Sequence, residues 1–436
     1  MRVLLTTIGS RGDVQPLVAL AAQLRAAGHE PRMCVSPDFQ DWIRGLGIPV
    51  TAIGPQMRRA LTATAPAAPP GGRPRPVTDD QIAAQFGKVA AAARGCDLMV
   101  VGTPLLVAAR TVAESLGIAY VFAVYSPNML PSPHHAPPPV PLREHVGRPA
   151  ETDHRALWAR DAEQTNQVLR GALNRHRASL GLPAVDDVRA HVMTDRPWLH
   201  ADPTLGPWPD RTDGGVFQPG AWILPDDRPL APELERFLDD GDPPVYFGFG
   251  SMVQVQEDLG HVAVRAARAL GRRAVVSRGW AGLTLPEDTP DCITVGEVNE
   301  HLLFRRVAAV VHHGGAGTTT SVALAGAPHV VVPQIYDQHY WAQRVDRLGI
   351  GVAHAPGGST SESLTRAVER ALRADTAANA RAVATVIRRD GTRVAVRRLT
   401  GADGATFPAS GPAQSTAVTG PDAGRGPVDR RTPAAP

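Results

Sequence analysis

One pattern occurs twice in this chain and leaves few folds open to it: a short apolar run, a turn, an amphipathic helix, then another apolar run. Near the start, residues 3–7 (VLLTT) lead into the loop IGSRGD at 8–13. Leu17, Leu20, Ala21 and Leu24 then recur at helical spacing until Gly28. Residues 32–36, 98–101 and 118–125 read as further strands, with a helical run over 105–116. The alternation lapses over 195–244, a stretch thick with Pro, Gly and Asp that reads as a connection between domains. It then resumes, with strands at 245–249, 274–277, 293–295, 308–311, 329–332 and 352–354 and helices across 259–270, from Ala316 and from Asp337. Helical patterns close the series at 363–373 and 377–389. Strands that are apolar on both faces and alternate with helices belong in parallel sheets covered on both sides. The expected fold is therefore α/β, with two Rossmann-like parallel-sheet domains facing each other across a cleft.

The expected division is a first domain over 1–215, a linker over 216–243, a second domain over 244–400 and a tail over 401–436. That tail is Gly, Pro, Ala, Ser and Thr with few large apolar residues, so it lacks the buried surface to offset its ordering entropy and is expected to be disordered. Residues 62–76 and 127–141, rich in Pro, read as long loops that serve either as binding walls or as plain surface. A formal charge of +3, with arginines spread along the chain, gives no reason to expect a nucleic-acid partner. Cys34, Cys96 and Cys292 are too scattered for a metal-ligand pair or a disulfide framework, which points to a reducing compartment. No apolar segment approaches the ~20 residues of a membrane span, and the N-terminus opens on a strand rather than a signal segment. A cytoplasmic location without stable membrane insertion is expected.

The richest chemistry lies at Val310–Thr319, VVHHGGAGTT, where an apolar strand runs into a glycine turn and then a helix. The first N–H groups of a helix lack internal partners and carry partial positive charge, so an anion suits them. The missing side chains of Gly314, Gly315 and Gly317 would let a phosphate reach the backbone, with Thr318 adding a hydroxyl and His313 a ring N–H. A tight turn with no ligand is the plainer reading. Beyond it, Asp337 and Gln338 follow the strand VVVP; a carboxylate and an amide suit adjacent sugar hydroxyls, although Asp337 by itself reads more simply as a helix cap.

The run HHGGAGTTTSVALAGAPHVVVPQIYDQHYWAQRVDRLGIG resembles the donor-binding signature of family 1 glycosyltransferases of GT-B fold. The similarity extends over roughly 1–398 and is most specific over 245–354. GAWILPDDRPL, SRGW and EVNEHLLFRRVAAVVHHG are most similar to bacterial enzymes that glycosylate glycopeptide and other antibiotic aglycones. TTIGSRGDVQPLVAL also looks like the sterol glucosyltransferase branch. The resemblance implies an inverting transfer from a UDP- or dTDP-sugar to a hydroxyl of a small hydrophobic or peptidic aglycone, without a bound metal or other cofactor. It places His313, Gly315, Ala316, Gly317 and Thr318 on the donor phosphates, Asp337 and Gln338 on the hexose, Ser251 beside the diphosphate and Val298 at the nucleobase. Ala316-Gly317-Thr318 departs from the Trp-Asn-Ser of plant members, and the leading Trp of their signature is missing.

Inverting transfer needs a base for the acceptor's hydroxyl proton and a stabilised diphosphate leaving group. Where plant members carry a His three residues before a Pro, this chain has Asp13 before Pro16, a replacement that the antibiotic and sterol branches share. The resemblance makes Asp13 the base. Its position alone reads more simply as an N-cap for a helix beginning near Val14. Ser10 and Arg11 are placed on the donor. A sterol or lipid glucosyltransferase is the alternative enzyme, and a noncatalytic partner protein of the same fold is the alternative of another class.

Overall fold

The computed structural model of the protein describes residues 1–63, 78–138, 153–209, 215–252, 258–285, 290–355 and 359–404. The first sheet is built from β1 (Arg2–Thr6), β2 (Glu30–Val35), β3 (Val50–Ala52), β4 (Leu98–Val101), β5 (Ala119–Val124) and β6 (Trp198–Leu199). The second comprises β7 (Val245–Gly248), β8 (Ala274–Ser277), β9 (Cys292–Val295), β10 (Ala309–His312), β11 (His329–Val331) and β12 (Gly351–Ala353). Their orders are β3-β2-β1-β4-β5-β6 and β12-β11-β10-β7-β8-β9, with every neighbouring pair parallel.

The physical cause is visible in the central strands. All four residues of β4, β7 and β10 are buried, so helices must cover both faces. In each sheet the order of connection reverses once, between β1 and β4 and between β7 and β10. Ligands of open parallel sheets bind at the strand carboxyl ends beside such a reversal. The loop IGSRGD leaves β1, Ser251 follows β7 and the glycine turn follows β10, so these segments gather at the two reversals.

Several elements carry no signal in the sequence reading. The 26-residue helix His154–Ser179 buries only Trp158, Ala162, Ala172, Leu173 and Arg177, too few for a clear apolar stripe. Within 216–243, the helix Pro232–Asp239 turns Leu234 and Leu238 into a core cluster with Val310 and Phe304 of the second half. The last helix, Gly391–Leu399, returns to the first half, where Ala395, Val396 and Leu399 share a core with Val14, Leu17 and Leu24 of the helix Arg11–Ala26.

The halves also meet beneath the cleft. Arg344 donates to the carbonyls of Leu205 (2.7 Å) and Thr204 (3.0 Å), and the Arg388 N–H donates to Asp202 at 2.8 Å. Trp341 packs so closely on Gly206 that a Cβ there would stand 2.7 Å from its ring. Cys34 and Cys96 are buried and Cys292 is half-buried, all three as free thiols. Among the described residues no helix is long and apolar enough to cross a membrane. Of the two segments read as long loops, 64–76 and 139–141 lie outside the described residues, as does 405–436 of the tail. The described part of the second loop is packed: His135 accepts from the Trp158 indole through its carbonyl (2.9 Å), and its ring meets the Leu130 carbonyl at 3.1 Å.

Candidate active site

The loop after β1 corrects one sequence expectation. The helix begins at Arg11 and not near Val14, Ser10 is its N-cap, and Asp13 is the third helical residue. Asp13 returns to the cap: the Ser10 N–H donates to its Oδ2 at 2.7 Å and the Ser10 hydroxyl to the same oxygen at 3.1 Å. This is the reciprocal capping-box arrangement, which the S-x-x-D spacing could have signalled. Gly9 is required beside it, because a Cβ there would stand 2.2 Å from Asp13 Oδ2. The other oxygen, Oδ1, accepts from the hydroxyl of Tyr125 at 3.2 Å. Burial raises the Asp13 carboxyl above the ordinary value, and the bonds from Ser10 and Tyr125 oppose that rise.

Tyr125 stands just past β5 and was not singled out from the sequence, where an aromatic residue ending an apolar strand reads as core. Its hydroxyl is raised well above the ordinary phenol value, by burial first and then by the charges of Asp13 and Asp337, so it remains a donor. Asp337 and Tyr336 come from the second half, and both feel the charge of Asp13. The cleft therefore brings Asp13 and Asp337 into one electrostatic neighbourhood.

Asp337 does not use its side chain as a helix cap. Its Oδ2 accepts from the Trp341 indole at 2.7 Å, and burial pushes the carboxyl up to about 7. Gln338 Oε1 accepts from the N–H groups of Gln334 (2.8 Å) and Ile335 (3.2 Å), and its amide nitrogen faces Met252 Sδ at 3.5 Å. Both side chains are buried at the mouth of the helix Gln338–Arg347. Tyr336 before them holds φ at +52°, a left-handed value that a bulky residue adopts only under constraint.

Gly315 caps the ten-residue helix Ala316–Ala325, and Gly314 takes φ +91° to turn the chain out of β10. The neighbouring histidines divide their work. His312 points into the core, where its Nδ1 accepts from the Gly314 N–H at 3.1 Å, so its Nε2 bears the proton and donates to His329 at 3.2 Å. His313 faces the turn, and its buried Nδ1 has no hydrogen-bond partner among the described residues. Burial lowers its pKa to about 4, so the ring is neutral at ordinary pH. Thr319 and Thr320 bond back to the carbonyls of Gly315 and Ala316, each at 2.9 Å, whereas the Thr318 hydroxyl makes no bond among the described residues. A Cβ on Gly250 would lie 3.1 Å from the His313 ring, which sets Ser251 beside the same turn.

Arg11 lies on the far side of its helix from Asp13. It covers the Trp42 ring at 4.1 Å, bonds Gln15 at 2.9 Å and reaches across the cleft to Glu297 at 2.9 Å. Next to Glu297, the main chain of Val298 makes no hydrogen bond among the described residues. Arg11 and Glu297 border a cavity of about 350 Å³ whose aromatic walls are Phe39, Trp42 and Trp280, the first and last being stacked at 6.1 Å. Of the residues expected at the site, Arg11 lines this cavity, Ser251, His313 and Gly315 stand at the glycine turn, and Asp13 and Asp337 are near enough for their charges to interact. Among the described residues, no group of three or more His, Cys, Asp or Glu side chains could hold a metal ion.

Two six-stranded parallel sheets, each with one reversal of strand order, give the chain the GT-B architecture, and its relatives make it a glycosyltransferase. Residues 3–132 match the glycosyltransferase family 28 N-terminal domain, and 273–392 match the C-terminal domain of erythromycin biosynthesis protein CIII-like proteins. The chain is 50% identical to glycosyltransferase GtfE of Amycolatopsis orientalis, over 94% of this chain and 99% of the relative. It is 48% identical to the vancomycin aglycone glucosyltransferase of the same organism, over 92% and 97%. The fold also superposes on the glycosyltransferase VinC, solved in complex with dTDP, at a TM-score of 0.62 and 21% identity, over 91% of this chain and 100% of that one. The chain belongs to this glycosyltransferase family and is a nucleotide-sugar-dependent enzyme.

Proposed function

We propose that the protein transfers a hexose from a UDP- or dTDP-sugar, with inversion, to a hydroxyl of a natural-product aglycone of glycopeptide type. The observation that carries this reading is the glycine turn at a helix N-terminus whose His313 has a ring nitrogen unpartnered among the described residues, together with a clamped Asp13 near enough for its charge to act on Asp337. The relatives' names, a vancomycin aglycone glucosyltransferase among them, support the acceptor class.

In this account the first half supplies acceptor contacts and Asp13, and the second half holds the donor. The diphosphate lies on the N-terminus of Ala316–Ala325, where Gly315, Ala316, Gly317 and Thr318 offer N–H and hydroxyl donors and Ser251 approaches from β7. That positive helix end takes the charge role that a cation would otherwise fill, so no metal is assigned to the reaction. Asp337 and Gln338 receive the sugar hydroxyls, and Val298 offers free main-chain groups to the nucleobase. Asp13 removes the acceptor's proton as its oxygen attacks the anomeric carbon, while the nucleoside diphosphate departs on the opposite side. The raised carboxyl favours that task, because a base of higher pKa holds the proton better. The cytoplasm, which supplies nucleotide sugars, is the proposed location.

The donor half is tested by His313→Ala. A hydrogen bond to a charged group is worth about 1.5–3 kcal/mol, so UDP or dTDP affinity measured by calorimetry should fall roughly tenfold or more. Unchanged affinity in a folded variant would remove the phosphate role from His313.

A further inference from the structure

Asp13 is held from two directions, and only one of them lies in its own helix. Ser10 fixes Oδ2 through its N–H at 2.7 Å and its hydroxyl at 3.1 Å, which is a local consequence of capping. Oδ1 is fixed by Tyr125, which is 112 residues away in the chain and enters from the end of β5. We propose that Tyr125 is the positioning residue of the proposed base, its hydroxyl fixing the plane of the Asp13 carboxylate from outside that residue's own helix; this rests on the reading of Asp13 as that base.

The surroundings explain why a second donor is needed. Among the described residues, the groups whose charges reach Asp13 from other elements are Tyr125 after β5 and Tyr336 and Asp337 after β11, a carboxyl and two phenols with no cation among them. Arg11, the nearest cation along the chain, is turned away to Trp42, Gln15 and Glu297. Without Tyr125, a carboxylate in this desolvated place would retain only the capping contacts on one oxygen. Oδ1 would then be free to swing or to take a proton of its own. Tyr125 is in turn fixed by an aromatic series: its ring meets His200 edge-on at 6.1 Å, and His200 stacks on Trp222 at 4.2 Å. A phenylalanine at 125 keeps that packing and loses only the hydroxyl.

Tyr125→Phe tests the proposal by two readouts. The first needs no acceptor: in protein carrying carbon-13 at the aspartate carboxyls, the Asp13 signal is assigned by its loss in Asp13→Asn and titrated in both backgrounds. Losing a donor to the anionic form moves the titration midpoint up in pH. The second is turnover with UDP-glucose and vancomycin aglycone as probes, where the acidic limb of kcat/KM should move the same way and kcat should fall about tenfold while UDP affinity holds. An unchanged Asp13 midpoint in folded Tyr125→Phe overturns the proposal, as does a shifted midpoint with an unaltered pH–rate profile. Should Asp13→Asn itself keep full turnover, the base assignment fails, and with it the functional meaning of Tyr125. A merely structural Tyr125 would lower the melting temperature and leave the Asp13 midpoint in place.

Discussion

At the residue scale, the cleft is governed by carboxyl groups held where water does not reach freely. Asp337 shows the consequence for stability. Burial raises its pKa from an ordinary 3.8 to about 7, against the bond from Trp341 that favours the anion. For an acid whose folded pKa is the higher one, the folded state binds more protons than the unfolded state between those two values. Its contribution to stability is therefore lost as pH rises through that window. Asp337→Asn keeps an acceptor for Trp341 and has no charge to bury, so the variant should gain stability relative to the wild type between pH 4 and 7. Urea unfolding across that range measures it, and parallel curves for the two proteins would contradict the burial of a titrating Asp337. The residues that sequence made legible are those leaving a strand into a helix: Asp13, His313, Asp337 and Gln338 all sit where backbone geometry announces a site. Tyr125 was hidden, since its partner lies at the end of another strand and no local spacing joins them. The cap alternative for Asp13 falls, because Ser10 and Asp13 are both good capping residues three positions apart and the structure shows Ser10 leading.

Among the elements, the strands of β7–β12 were readable because their apolar runs end at a Gly, Pro or polar turn, and helix periods follow β7, β10, β11 and β12. Gly391–Leu399 was not, because its buried face consists of Gly391, Thr392, Ala395, Val396 and Leu399, mostly small residues between arginines. Its placement needs a close approach: a Cβ on Gly391 would lie 2.4 Å from the Ala221 carbonyl. This helix fastens the end of the described chain to the first half. Truncation after Asp390 should therefore destabilise the protein, by about 3–6 kcal/mol for Val396 and Leu399 at roughly 1.5–3 kcal/mol per buried side chain. Truncation after Gly404 should leave the urea midpoint of the full chain, since the segment beyond lacks the composition for a core. Equal midpoints for the two truncations would mean that the helix contributes little to the first half.

Across the whole molecule, the proposed reaction draws one part of its machinery from each half. The second half offers the open N-terminus of Ala316–Ala325 with His313 beside it, and the first offers a carboxylate clamped by Ser10 and Tyr125. The half-buried Arg344 and the buried Trp341 join the two halves, and the more exposed ion pair between Arg11 and Glu297 bridges them at the cleft. The turnover of Asp13→Asn, per folded molecule, tests this account most directly. Asparagine can still accept from the Ser10 N–H, so the helix start should survive, and UDP or dTDP should bind nearly as before. A general base contributes about 10²–10⁴ in rate, so sugar transfer should fall at least about a hundredfold. Turnover that holds in a folded Asp13→Asn protein, with stability alone reduced, would make Asp13 a structural residue and move the base elsewhere in the cleft.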